Sequence, residues 1–113
     1  MKKNKSKSKK DFVYLSPLEA AHEMAHGLYD AGVIDATTMR EFDALCLPPV
    51  KELSPQDIKK IRLKEKLSQE VFAKYLNTSF STIKQWEIGK KHPRGTSLKL
   101  LNLVHDKGIA VLV

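Results

Sequence analysis

Two stretches of this 113-residue chain hold side chains whose types and spacing suit chemistry. The first is His22-Glu23-Met24-Ala25-His26. On a helix, residues four apart share a face, so the two imidazoles can ligate one zinc ion, with Glu23 placed as a general base. A zinc hydrolase needs a third protein ligand and a substrate cleft. His92 and His105 lie in a different segment of the chain, and too little sequence surrounds the helix to build a cleft. The plain alternative is a short, polar-faced helix that happens to carry two histidines. We therefore assign no catalytic residue, no metal site and no cofactor, and keep a zinc hydrolase at His22, Glu23 and His26 as a remote alternative. The second stretch is Phe80-Ser81-Thr82-Ile83-Lys84-Gln85-Trp86. As a helix it turns Ile83 and Trp86 to a core. Phe80, Ser81, Thr82, Lys84 and Gln85 then face outward, and most of these side chains can reach base edges and phosphates.

Charge falls into three blocks. Residues 2–10 hold six lysines and no acid, a charge of +6. Residues 11–50 hold Arg40 against seven acids (Asp11, Glu19, Glu23, Asp30, Asp35, Glu41, Asp43), a charge of −6. Residues 51–113 carry thirteen bases and six acids, a charge of +7. A polyphosphate is attracted to the third block and repelled by the second, so the blocks suit different partners. No apolar run approaches the roughly 18–20 residues of a membrane span. The basic N-terminus has no apolar stretch behind it, which argues against a secretory signal. Cys46, the single cysteine, has no internal partner, and a reducing cytoplasm is the expected compartment. It reads as a small buried hydrophobe.

The elements that position these residues are all helical. Residues 1–10 hold only Lys, Asn and Ser after Met1 and are expected to be a disordered tail. Residues 11–47 form an acidic helical unit. Ser16-Pro17-Leu18-Glu19 is a capping box that starts a helix ending near Asp30, with Gly32 as the stop. Asp35 caps a second helix, Ala36 to about Leu45, with Met39, Phe42 and Leu45 on one face. Residues 48–53, opened by Pro48-Pro49, read as a linker. Residues 54–113 form the basic domain. Ser54-Pro55 starts a helix through about Lys66, with Ile58, Ile61, Leu63 and Leu67 as its apolar positions. Ser68 caps Gln69 to Leu76, and Ser79 caps Phe80 to about Ile88, ended by Gly89. Thr96 caps Ser97 to about Lys107, with Gly108 as the stop. The last five residues, Ile109 to Val113, are apolar and read as a strand or extended strap, covered by the core or by a second subunit.

Two helices that cross at a tight turn need a small residue where they approach, and Ala73 supplies it. The turn needs a residue that tolerates positive φ, and Asn77 does so. Leu67-Ser68-Gln69-Glu70-Val71-Phe72-Ala73, followed by Ser79, Ile83 and Trp86-Glu87-Ile88-Gly89-Lys90, resembles the lambda-repressor-like (XRE) family of helix-turn-helix regulators over about residues 58–104. Asn77 and Thr78 stand where that family usually has glycine and valine.

The resemblance implies an all-α fold of four to five helices and a double-stranded DNA operator as partner. It implies that Ser68 and Gln69 contact phosphate, that Phe80, Ser81 and Gln85 face bases, and that Lys90 and Lys91 meet the backbone. With Ser79, Thr82 and Lys84 these make up the expected DNA-contacting set. It also pairs Arg62 with Glu87 as a structural ion pair, which a partly buried carboxylate requires on physical grounds too. In size and layout the chain is similar to the HigA-type antitoxins. That second resemblance implies a repressor of its own operon that neutralises a basic RelE/HigB-like RNase toxin, and the charge of the acidic unit suits it to bind such a basic partner. A stand-alone transcriptional or phage-type repressor is the alternative. A homodimer is expected in either case, because one such domain covers one half-site.

Overall fold

The computed structural model describes residues 16–113. The lysine tail expected for residues 1–10 lies outside them. Among the described residues there are six α-helices, one short 3₁₀ turn and no strand: α1 (Pro17–Asp30), α2 (Ala36–Leu45), α3 (Pro55–Lys64), α4 (Gln69–Leu76), α5 (Phe80–Glu87), α6 (Thr96–Lys107) and the 3₁₀ turn Ile109–Leu112. The chain divides into two compact units, with the division between Pro48 and Pro49 in sequence.

The first unit is a two-helix hairpin. The Ser16 hydroxyl accepts from the Glu19 amide at 3.0 Å, and the Glu19 carboxylate accepts from the Ser16 amide at 2.9 Å. Both donors would otherwise be orphans of the first turn. Gly32, at φ +78°, turns the chain after α1. Asp35 caps α2 by accepting from the Thr38 amide at 2.9 Å. The core between α1 and α2 is thin, since only Ala25 and Met39 are buried among the described residues of the hairpin. Phe42 and Cys46 are half-buried, and Leu45, expected to face inward, is 63% exposed. Leu18, Met24, Leu28, Tyr29, Val33 and Leu47 are exposed as well.

The second unit has a core of Ile58, Ile61, Phe72, Ala73, Leu76, Ile83, Trp86, Leu101 and Val104, with Leu53, Leu67, Leu100, Ile109 and Leu112 packed against it. Lys51 and Leu53, which the sequence places in a linker, belong to this unit. The Lys51 amide donates to the Asn102 side chain at 3.0 Å, and that side chain donates back to the Lys51 carbonyl at 3.0 Å. α3 ends at Lys64, and Lys66 sits in the left-handed region at φ +60°. The buried stripe of α3 is Ile58, Ile61 and Arg62, at helical spacing. Leu63, named with the apolar positions of this helix, lies about a hundred degrees beyond Arg62 and is 54% exposed.

Two further expectations are corrected. Thr96 is the first residue of α6 and not its cap. Gly95, at φ +56° and ψ −126°, makes the entry in a conformation suited to glycine, and no side chain caps the helix. The C-terminal segment is a 3₁₀ turn and not a strand or strap. Gly108 at φ +86° reverses the chain, and the three-residue repeat then brings Ile109 and Leu112 to one side, against the core. Val111 and Val113 stay exposed.

Candidate nucleic-acid interface

α4 and α5 pack directly on each other. Ala73, buried in α4, has the smallest side chain that a helix former can offer at such an approach. The turn between them is closed by Asn77 at φ +57° and ψ +47°, with the Thr78 amide donating to the Ala73 carbonyl at 2.9 Å. This is a left-handed helix stop that leaves Ser79 free to cap α5. Ile83 and Trp86 face the core, at 0% and 6% exposure.

The opposite face of α5 is open. Phe80, Ser81 and Lys84 are exposed, and Thr82 and Gln85 are half-buried. The Lys84 ammonium lies 5.1 Å from the centre of the Phe80 ring, a cation–π distance that holds both over one turn. The Ser79 and Thr82 hydroxyls are 2.7 Å apart, and the Gln85 amide makes only a long 3.4 Å contact to the Ser81 hydroxyl. Lys90 and Lys91 are exposed in the loop that follows, with their amides bonded to the Gln85 carbonyl at 2.9 and 3.2 Å. Arg94 is exposed in the same loop, where the sequence reading passes over it. Ser68 caps α4 from an exposed position.

Behind this face sits a polar knot. Arg62 donates through Nε and Nη2 to the two oxygens of Glu87, at 2.7 and 2.9 Å. Its Nη1 donates to the Leu67 carbonyl at 2.9 Å. The Glu87 hydrogen bond raises the Arg62 pKa further above its ordinary value against the cost of burial. Gln69, expected only to contact phosphate, also donates to Glu87 Oε1 at 3.1 Å. One Glu87 carboxylate therefore ties α3, α4 and α5 together, and one of the two Gln69 amide hydrogens is committed inward.

The His-Glu-x-x-His stretch lies on α1 in the other unit. There the structure supplies what the sequence does not show: Asp43, on α2, stands 2.7 Å from His22 Nε2. His26, His22 and Asp43 have donor atoms within 4.8 Å of one another. Asp43 is 21 residues from His22 in the chain, and no spacing rule links them.

A small all-α domain with two helices crossed at a left-handed turn, one of them polar on its open face, is a helix-turn-helix domain. Residues 58–112 match the family model HTH_3, described as a helix-turn-helix. Over 52 residues the chain is 42% identical to Antitoxin HigA-2 of Vibrio cholerae, a stretch that covers 46% of this chain and 50% of that protein. The chain thus spans about half the length of the curated relative it matches. The second unit thus has the all-α fold of a lambda-repressor-like helix-turn-helix domain, and over residues 58–112 it is similar to that family. Among the described residues no helix is long and apolar enough to cross a membrane.

Proposed function

We propose that the chain represses transcription from its own operon by laying α5 in the major groove, and that its acidic unit neutralises a basic RNase toxin. The observation that carries the DNA reading is the two-sidedness of α5, buried at Ile83 and Trp86, exposed at Phe80, Ser81 and Lys84, and half-buried at Gln85 on the same outer side. Gln85 has a donor and an acceptor on one amide and suits the major-groove edge of adenine. Ser68, Gln69, Ser79 and Thr82 serve the phosphates at the starts of α4 and α5, and Lys90 and Lys91 hold the backbone beyond α5. Two copies pair so that their α5 helices meet half-sites about 34 Å apart.

The toxin reading is supported by the similarity to Antitoxin HigA-2 and by the first unit itself. That hairpin carries the acidic block and leaves Met24, Leu28, Tyr29 and Val33 exposed around a core of two buried residues. Acidic charge speeds encounter with a basic protein, and exposed apolar side chains supply the buried area of a complex. The test is co-expression of a neighbouring toxin gene with the full chain or with a chain beginning at Pro49. Rescue of growth by the full chain alone is expected. Equal rescue by the shortened chain removes the acidic unit from toxin binding, and rescue by neither leaves a stand-alone repressor.

A further inference from the structure

His22 and His26 stand one turn apart on α1, their rings edge to face with centroids 4.8 Å apart at 79°. Asp43 reaches them from α2, with Oδ1 2.7 Å from His22 Nε2. All the ring nitrogens and carboxylate oxygens needed lie within 4.8 Å of one another. Ligands around a tetrahedral zinc sit roughly 3.3 Å apart when the metal–ligand distance is about 2.05 Å. The observed contacts bracket that spacing, the 2.7 Å one short of it and the longest, up to 4.8 Å, wider by roughly 1.5 Å, so the side chains must rotate toward the ion to close the site. Two imidazoles and a carboxylate suit a divalent transition ion of the zinc class and not calcium or magnesium, which favour oxygen ligands.

We infer that His22, His26 and Asp43 form a metal site that takes one zinc-class divalent ion and clips α1 to α2. The cluster is open enough to admit the ion and a water ligand: the side chains of His22 and Asp43 are 27% and 32% exposed, and His26 is exposed. On binding, the His22–Asp43 hydrogen bond breaks and both atoms give a lone pair to the metal. The imidazole proton moves to Nδ1, or leaves to solvent if the ring was doubly protonated. Arg40 Nη1, 3.2 Å from Asp43 Oδ2, is the competing cation. Glu23 is exposed on α1 between the histidines in sequence and is not in the cluster. The consequence is mechanical: a hairpin with two buried residues gains a cross-link between its helices.

The experiment is titration of the untagged full chain with zinc by calorimetry, and with cobalt by visible absorption. One ion per chain is expected, with the cobalt spectrum reporting a low-coordinate nitrogen–oxygen site. His22→Ala, His26→Ala and Asp43→Asn should each weaken binding at least tenfold, with helix content retained by circular dichroism. Arg40→Ala should bind as well as the parent or better, and Cys46→Ser, His92→Ala and His105→Ala should bind unchanged. Zinc should raise the melting temperature of the parent and not of Asp43→Asn. Undiminished binding by Asp43→Asn reduces the feature to two histidines on one helix and overturns the inference. So does zinc binding by the parent no tighter than by the double His22→Ala/His26→Ala variant.

Discussion

Arg62 and Glu87, 25 residues apart in the chain, face each other through two hydrogen bonds of 2.7 and 2.9 Å, with side chains 10% and 4% exposed. Glu87 closes the helix that carries the outward polar face, and Arg62 belongs to the helix behind it. The pair therefore fixes the angle at which α5 is presented, while Gln69 adds a third helix to the same carboxylate.

Removing one partner should be costly. Arg62→Met leaves the Glu87 carboxylate buried without its cation, and a loss of about 3–5 kcal/mol is expected in urea unfolding. Arg62→Met combined with Glu87→Leu should recover most of that loss, because no buried charge remains. A single-variant loss below about 1 kcal/mol is the value of an exposed pair and contradicts the structural role.

The two non-glycine residues in the left-handed region among the described residues should respond differently to substitution. Lys66, at φ +60°, pays for a conformation that costs a long side chain about 1–2 kcal/mol. Lys66→Gly should stabilise by about 0.5–1 kcal/mol, after the entropy of glycine is counted. Asn77, at φ +57°, tolerates that region better, so Asn77→Gly should be near neutral and Asn77→Val destabilising by more than about 1 kcal/mol. Thermal melts of the three variants check the ordering.

Local signals carried most of the fold. The capping boxes at Ser16 and Ser54 and the caps at Asp35, Ser68 and Ser79 are chemistry between residues three apart, and all are legible in sequence. The same holds for Ala73, Asn77 and the Ile83/Trp86 face. What escaped depends on distance along the chain or on glycine geometry. Asp43 meets His22 across 21 residues and Asn102 pins Lys51 across 51, neither with a spacing signature. Leu63 is apolar, yet Arg62 takes the inward position because Glu87 is there to meet it. Gly95 and Gly108 adopt positive φ and so decide how α6 begins and how the chain ends, which side-chain pattern alone does not reveal.

Acid should weaken the helix caps in a fixed direction. The Asp57 carboxyl is held below its ordinary value of 3.8 chiefly by the hydrogen bond from the Ser54 amide, and that of Asp35 by the Thr38 amide. A depressed folded-state pKa gives stability that is fully present above the unfolded value and lost as pH falls through the folded one. Asp57→Ala should therefore be less stable than the parent near neutral pH. The difference should shrink below about pH 4 as the parent's carboxylate is protonated. Melting curves for both proteins across the acid range report it, and a difference independent of pH contradicts the assignment.

Whether α5 reads DNA sequence is decided by binding of the full chain to the DNA upstream of its own gene and to a scrambled duplex, across a salt series. Gln85→Ala should cost about 1–3 kcal/mol on the upstream DNA and little on the scrambled duplex, since the proposal sets its amide against base edges. Lys90→Ala should weaken both alike and lower the salt slope by about one, since a flexible ammonium beyond the helix stop carries charge but no base information. Equal weakening of both duplexes by Gln85→Ala, or no preference of the parent chain for the upstream DNA, contradicts the placement of α5 in the major groove.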